Sequence, residues 1–307
     1  MTGDTPSGTQ RPICDYEGSA YRRDFWEDQG REYEDLVERI ALRKLLPPAG
    51  RRLLDVGAGF GRLADLYGGY DEVVLLDYST TMLREARGRL GDDPRYRYVA
   101  ANYYHLPLVD GLVETAVMVR VLHHAQDVAA ALGEIGRVVR ARGHLVLEYA
   151  NKRHAKAVLR YVLRRQDWSP FDRQPVEFVA LNFDFHPAYV RQHLTGADLA
   201  ILKERAVSAF RLPLLKRAVG PRLLAALDGL LQRLLAPLKP TPSVFTLARR
   251  DESAATAPAG SLFRCPACGS ADLAEGDDAL ACQACRRRWQ IADGIYDFRW
   301  PREDTSR

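Results

Sequence analysis

"LLDVGAGFGRL" (Leu53–Leu63) is the stretch on which the reading of this chain turns. Leu53, Leu54 and Val56 make a short apolar run, which reads as a buried strand. Gly57, Gly59 and Gly61 follow at alternate positions. A glycine-rich turn at a strand exit lets backbone N–H groups approach a ligand closely at a helix N-terminus. Twenty residues after Gly57, Asp77 ends a second apolar run, "EVVLLD". An acid at the tip of the second strand can accept hydrogen bonds from a ribose diol. The dinucleotide pattern Gly-x-Gly-x-x-Gly/Ala fails here, because position 62 is Arg.

Outward from this loop, strands and helices alternate. "GRLADLYGG" and "STTMLREARGRLG" read as helices, the second capped by Ser79. "YRYVAA", "VETAVMVRVLHH" and "GHLVLEYA" read as strands, with the helix "DVAAALGEIGRVVR" between the last two. Such alternation implies parallel strands in a doubly wound α/β sheet. A helix is expected over Asp24–Leu46, ended by "LPPAG". Beyond Ala150 come a basic helix, a second helix, the strand "AILKERAVSAF", a Leu-rich helix and a last strand, "SVFTLARR". The organisation expected is a flexible leader over residues 1–20 and a main domain over 21–250, with helical inserts at about 151–186 and 211–242. A linker over 251–261 and a small cysteine-rich module over 262–300 complete the chain.

The spacing Asp-x-Gly-x-Gly-x-Gly, starting at Asp55, resembles motif I of the class I S-adenosylmethionine-dependent methyltransferases. "LLDYSTTML" resembles their second motif, "ANYYHLPL" their third and "VMVRVLHH" the fourth-strand signature of the type 11 branch. The resemblance covers about Arg51–Tyr149, and the family's final strand pair can be laid on Ala200–Arg249. It implies a mostly parallel, seven-stranded, Rossmann-like sheet and S-adenosylmethionine as cofactor. It also implies that Gly57, Ala58, Gly59 and Gly61 line the methionine and ribose end, and that Asp55 holds the loop or the cofactor amine. Asp77 would bind the ribose hydroxyls, with Tyr78 and Met82 flanking adenine and Arg120 passing the cofactor. The usual acid of the third motif is Asn102 here, an uncharged acceptor for the adenine amino group, with Tyr103 stacking nearby.

Methyl transfer needs an in-line acceptor and a dry pocket; a base is needed only if the acceptor must lose a proton. His105, His123, His124 and Glu148 are the candidates, although a His pair at this position often serves structure and Glu148 can simply cap "NKR". Tyr21, Trp26 and Tyr33 suit either a lid or a helical packing stripe. Lys152, Lys156, Arg160 and Arg164 recur at four-residue spacing as one basic stripe, with Ala155, Val158, Leu159 and Val162 on the opposite, buried face. Residues 152–222 hold 14 Lys or Arg against 6 Asp or Glu, a surplus that suits an anionic acceptor and equally a merely solvated face. The acceptor class stays open among small molecule, lipid headgroup, RNA and protein. Leu223, Leu227, Leu230 and Leu234 form a stripe suited to the core or to a homodimer contact.

Cys265-x-x-Cys268 and Cys282-x-x-Cys285, thirteen residues apart, match two zinc knuckles with a closed, structural ligand set. So short a module needs the metal to fold. "CPACG…ACQACRRRWQIADGIYDF" resembles the small zinc-ribbon proteins that activate methyltransferases in trans, with Tyr296 where their closing Pro stands. Such a tail would stabilise the catalytic domain or guide substrate. Composition is ordinary for a globular chain of 307 residues, with 47% apolar and 27% charged residues and a net charge of +4. No apolar run approaches the ~18 residues of a membrane span. The polar start lacks a signal-peptide pattern, and the cysteine usage points to the cytoplasm. The rival reading is a non-catalytic nucleic-acid-binding or scaffold protein that keeps the same fold.

Overall fold

The computed structural model describes residues 11–26, 29–257, 260 and 262–299. Residues 1–10 of the expected leader lie outside these. Residues 11–20 do not project freely: Arg11 pairs with Asp127 at 2.9 Å, and Glu17 accepts from Thr80 N–H at 2.8 Å. Two helices, α1 (Tyr21–Phe25) and α2 (Glu32–Leu45), replace the single one expected; Gly30, at φ 63°, lies between them.

The sheet then builds from β1 (Gly50–Val56), β2 (Tyr70–Asp77), β3 (Tyr96–Ala100), β4 (Val113–Met118) and β5 (Val139–Ala150), all parallel. Helices α3 (Thr80–Leu90) and α4 (Val128–Val138) pack on its faces. Each starts where a side chain satisfies a free N–H: Ser79 Oγ accepts from Met82 N, and Asp127 Oδ1 from Ala130 N. The insert holds α5 (Ala155–Val162) and a hairpin of β6 (Val176–Val179) and β7 (Asn182–Asp184). After it come α6 (Pro187–Gly196), β8 (Leu199–Val207), α7 (Pro213–Val219), α8 (Pro221–Leu234) and β9 (Ser243–Arg250). Strand β9 runs antiparallel between β5 and β8.

The expected seven strands are present in the order β3-β2-β1-β4-β5-β9-β8, but the sheet does not stop there. The cysteine-rich module contributes β10 (Leu273–Glu275), β11 (Ala279–Cys282), β12 (Arg288–Ala292) and β13 (Ile295–Asp297). Strand β13 lies parallel to β3, with Tyr296 opposite Val99, and extends one sheet to eleven strands. The sheet edge that β3 would otherwise expose is thereby covered. Phe263, Trp289 and Phe298 join the core cluster that holds the strands together. The linker reading is also revised. Ala257 N–H donates to Gly111 O at 2.9 Å and Ala141 N–H to Ala255 O at 3.2 Å, so small polar residues here serve close backbone packing.

Three further expectations change. Lys152 is 1% exposed, its ammonium donating to the carbonyls of Asp172 (3.1 Å) and Gln174 (2.6 Å), so it leaves the basic stripe. Leu159 and Val162 face solvent rather than the core, at 58% and 67% exposed. The Leu stripe of α8 is exposed as well, which removes the core alternative for it, because polar contacts set the rotation of that helix. Tyr33 Oη donates to Asp228 at 2.8 Å, and Gln232 Nε2 to Val37 O at 3.1 Å. That turns Leu223, Leu227, Leu230 and Leu234 outward. Among the described residues no helix is long and apolar enough to cross a membrane.

Candidate functional site

Gly57, Gly59 and Gly61 have φ of 70°, 54° and 72°, the left-handed region that a side chain would strain. A Cβ at Gly57 would stand 2.2 Å from Val121 Cγ2, whereas nothing lies within 4 Å of one at Gly59. The loop is tied to the second strand: Gly57 N–H donates to Leu76 O at 2.7 Å, and Asp77 accepts from Gly59 N–H at 2.8 Å. The other oxygen of Asp77 accepts from Ser79 N–H at 2.9 Å. Tyr78 N–H donates to the carboxylate as well, and of its four lone pairs one remains for a ligand. Burial pushes the Asp77 carboxyl up, against these hydrogen bonds. Asp55, 4% exposed at the end of β1, is pushed up to about 7 by burial, opposed by the hydroxyl of Tyr67 at 2.9 Å.

One cavity runs beside this loop, lined by Asp77, Tyr78, Met82, Ala101, Tyr103, Arg120 and His124. Sequence reasoning missed that Ile13, Cys14 and Tyr16 of the leader line it as well. No periodicity or motif marks that segment. Asn102 is buried, and its amide oxygen accepts from Tyr104 N–H at 2.8 Å; its neighbours Ala101 and Tyr103 line the cavity instead. The leader is held by Glu17, which accepts from the Thr80 and Thr81 hydroxyls at 3.0 and 2.7 Å. It also pairs with Arg299 of the cysteine-rich module at 3.1 Å. Burial would raise the Glu17 carboxyl, but those hydroxyls, Thr80 N–H and Arg299 outweigh it and hold it down at about 2.

At the other end, Asp55, Gly57–Phe60, Arg62, Arg120 and Trp26 line a second recess. Arg62 and Arg120 lie over the Trp26 ring at 4.0 and 5.1 Å. Both bind Glu38, Arg62 at 2.8 Å and Arg120 at 2.5 Å, on a side chain only 1% exposed. Burial alone would raise the Glu38 carboxyl; the two guanidiniums outweigh it and hold it below the ordinary range. Arg120 has φ 58°, a strained value for a side chain of its size, and the buried Glu148 accepts from its N–H at 3.0 Å. Ser243 Oγ donates to the other oxygen of Glu148 at 2.6 Å. Glu148 therefore positions Arg120 and caps nothing in "NKR". Of the aromatic trio, Trp26 reaches the site, Tyr33 is core, and the Tyr21 side chain lies outside the described residues.

His123 and His124 sit on a short 3-10 turn with ring centres 4.0 Å apart. Burial, then the neighbouring His124 and Arg120, push His123 well below its ordinary value; burial also lowers His124. His124 Nδ1 lies 2.8 Å from Leu181 O, which can only accept, so Nδ1 carries the proton and Nε2 accepts from Tyr16 Oη at 3.3 Å. With both nitrogens engaged, His124 orders the cavity wall. His105 is exposed and lines neither recess.

The four sulfurs of Cys265, Cys268, Cys282 and Cys285 lie within 4.8 Å of one another. Cys265–Cys285 and Cys268–Cys282 are separated by 3.7 and 3.5 Å, far beyond the ~2.05 Å of a disulfide. A tetrahedron of ~2.3 Å zinc–thiolate bonds has edges of about 3.8 Å, so the cluster fits zinc.

The profile of the family described as "Methyltransferase domain" matches residues 54–147, the glycine loop through β5. A probable S-adenosylmethionine-dependent methyltransferase of Mycobacterium tuberculosis is 32% identical over 123 residues, 40% of this chain and 42% of that protein. The ubiquinone/menaquinone biosynthesis C-methyltransferase of Shewanella oneidensis is 30% identical over 168 residues, 52% of this chain and 66% of that one. The chain spans less than half the length of the first curated relatives it matches, 35% and 42% for two of them. Among solved structures, a complex of a Haloferax volcanii methyltransferase activator with a methyltransferase aligns with a TM-score of 0.52. That alignment covers 75% of this chain and 96% of the other at 16% identity, a likeness of fold. Residues 54–147 therefore carry a methyltransferase domain.

Proposed function

We propose that the whole chain is an S-adenosylmethionine-dependent methyltransferase with its own zinc-ribbon activator built in. The observation that carries this is the convergence of Asp77 and the left-handed Gly57–Gly61 loop on one cavity with Met82 and Tyr103. When bound there, S-adenosylmethionine supplies an activated methyl group, which leaves its sulfur as the acceptor's lone pair forms the new bond. Asp77 accepts from a ribose hydroxyl, and Tyr78 and Met82 flank the adenine. Arg62 and Arg120 give the recess beside Asp55 a positive wall for the cofactor carboxylate. Tyr16 and Cys14 help exclude water from the cavity they line. Both oxygens of Glu148 and both nitrogens of His124 are engaged within the protein, and His105 and His123 line neither recess, which suits an acceptor that needs little help in losing a proton.

The four cysteines would hold a structural zinc, and the ribbon would act as a permanently attached partner. The pairing of β13 with β3 and the Arg299–Glu17 contact support this, since both lie beside the cofactor cavity. The acceptor reading begins from a relative named for quinone C-methylation and from the basic insert beside the site. Radiolabelled methyl transfer into fractionated cell extract, with RNase and protease controls, tests the activity. Labelling of one fraction that disappears with Asp77→Ala is expected; none, from protein that binds the cofactor, would refute catalysis.

A further inference from the structure

Residues 153–180 carry apolar and cationic side chains side by side on the surface. Helix α5 buries only Ala157. Leu159, Val162 and Leu163 are 58%, 67% and 52% exposed, and beyond the helix Phe171, Phe178 and Val179 are 53%, 58% and 60% exposed. A helix on a soluble surface ordinarily turns such residues inward. Arg153, Lys156, Arg160, Arg164, Arg165 and Arg173 are interleaved with them, all exposed, and none has an ion pair among the described residues. The same stretch has three acids, Asp167, Asp172 and Glu177. Two of these are turned to the backbone: Asp172 accepts from Gln174 N–H at 3.1 Å and Glu177 from Leu181 N–H at 2.8 Å.

We propose that residues 153–180 form a docking surface for an anionic lipid bilayer. Apolar side chains enter the boundary between headgroups and acyl chains, while guanidiniums meet lipid phosphates; this is the composition of helices that lie in a membrane interface. A second copy of the chain fits less well, because a two-fold contact through this face would set its unpaired cations against themselves. A nucleic acid would leave the exposed apolar side chains without a role. The surface is tied to the cavity wall. Leu181 O, one residue past this stretch, is the acceptor for His124, and buried Lys152 holds the carbonyls of Asp172 and Gln174.

Sedimentation of the full chain with vesicles tests this. Vesicles of phosphatidylcholine alone are compared with ones in which phosphatidylglycerol replaces about one third of the lipid. Binding to the anionic vesicles only is expected, weakening as salt rises. Arg160→Gln with Arg164→Gln removes two charges and should weaken binding about thirty-fold. Leu159→Ser with Val162→Ser should weaken it at least as much, with the melting temperature kept within a few degrees. Absence of binding to anionic vesicles, equal binding to neutral ones, or wild-type binding by both variants would overturn the proposal. So would an outcome in which the apolar variant dissolves a dimer and no vesicle binding is seen.

Discussion

Phe298→Ala separates a ribbon that belongs to the catalytic sheet from one that merely hangs on it. Phe298 is 2% exposed. Its ring centre lies 5.0 Å from that of Phe263 and 5.5 Å from that of Trp289, and its N–H donates to Ala100 O of β3 at 2.7 Å. Truncating a buried Phe to Ala costs about 3–5 kcal/mol in lost transfer energy and cavity. If ribbon and sheet unfold together, that loss lowers the melting temperature of the whole protein by roughly 6–20 °C, at about 2–4 °C per kcal/mol for a large domain. Scanning calorimetry should show one transition moving as a unit. Hydrogen exchange should show lost protection in β3, Tyr96–Ala100, which belongs to the methyltransferase domain. Two transitions, with the larger one unmoved and β3 still protected, would refute a shared folding unit and restore a free ribbon behind a linker.

Gly57→Ala should abolish cofactor binding, since its Cβ would stand 2.2 Å from Val121 Cγ2 at a left-handed backbone, while Gly59→Ala should cost the free protein only backbone strain of about 1–2 kcal/mol; thermal melts and cofactor titration of both check this. Glu17 should fasten the leader only when ionised. Its carboxyl is held down at about 2 against an unfolded value of ~4.3, so its contribution is present above pH ~4.3 and lost as pH falls toward 2. The melting-temperature gap between the wild type and Glu17→Gln should therefore close over that window, and a gap that persists at pH 2 would assign the contact another role. Freshly purified protein should carry one zinc per chain by metal analysis, and a strong chelator or Cys282→Ser should unfold the ribbon and destabilise β3 with it.

Much of this was legible from the chain because its signals are local. Alternating apolar runs and helical stretches gave β1 to β5, and the strand-exit glycines, with Asp77 in register, gave the cofactor loop. What stayed hidden depends on contacts far apart in sequence. Three residues, Ile295–Asp297, do not announce that they pair with β3, nearly two hundred positions earlier. Arg62 served in the sequence only to exclude a dinucleotide loop, yet with Glu38 and Arg120 it builds one wall of the site. Helical periodicity showed that α5 and α8 each have an apolar face but not what covers it; Leu159 and Leu230 stand in solvent at 58% and 72% exposure. Lys152 fits the four-residue basic spacing and is nevertheless buried under the carbonyls of the next loop.

Calorimetric titration of the full, zinc-loaded chain with S-adenosylmethionine bears most directly on the central claim. Saturable binding with one site per chain is expected, NAD should give no heat, and Asp77→Ala should weaken binding by about 1–3 kcal/mol through the loss of a buried acceptor. A well-folded protein that takes up no S-adenosylmethionine, or one whose affinity is unchanged by Asp77→Ala, would contradict the account.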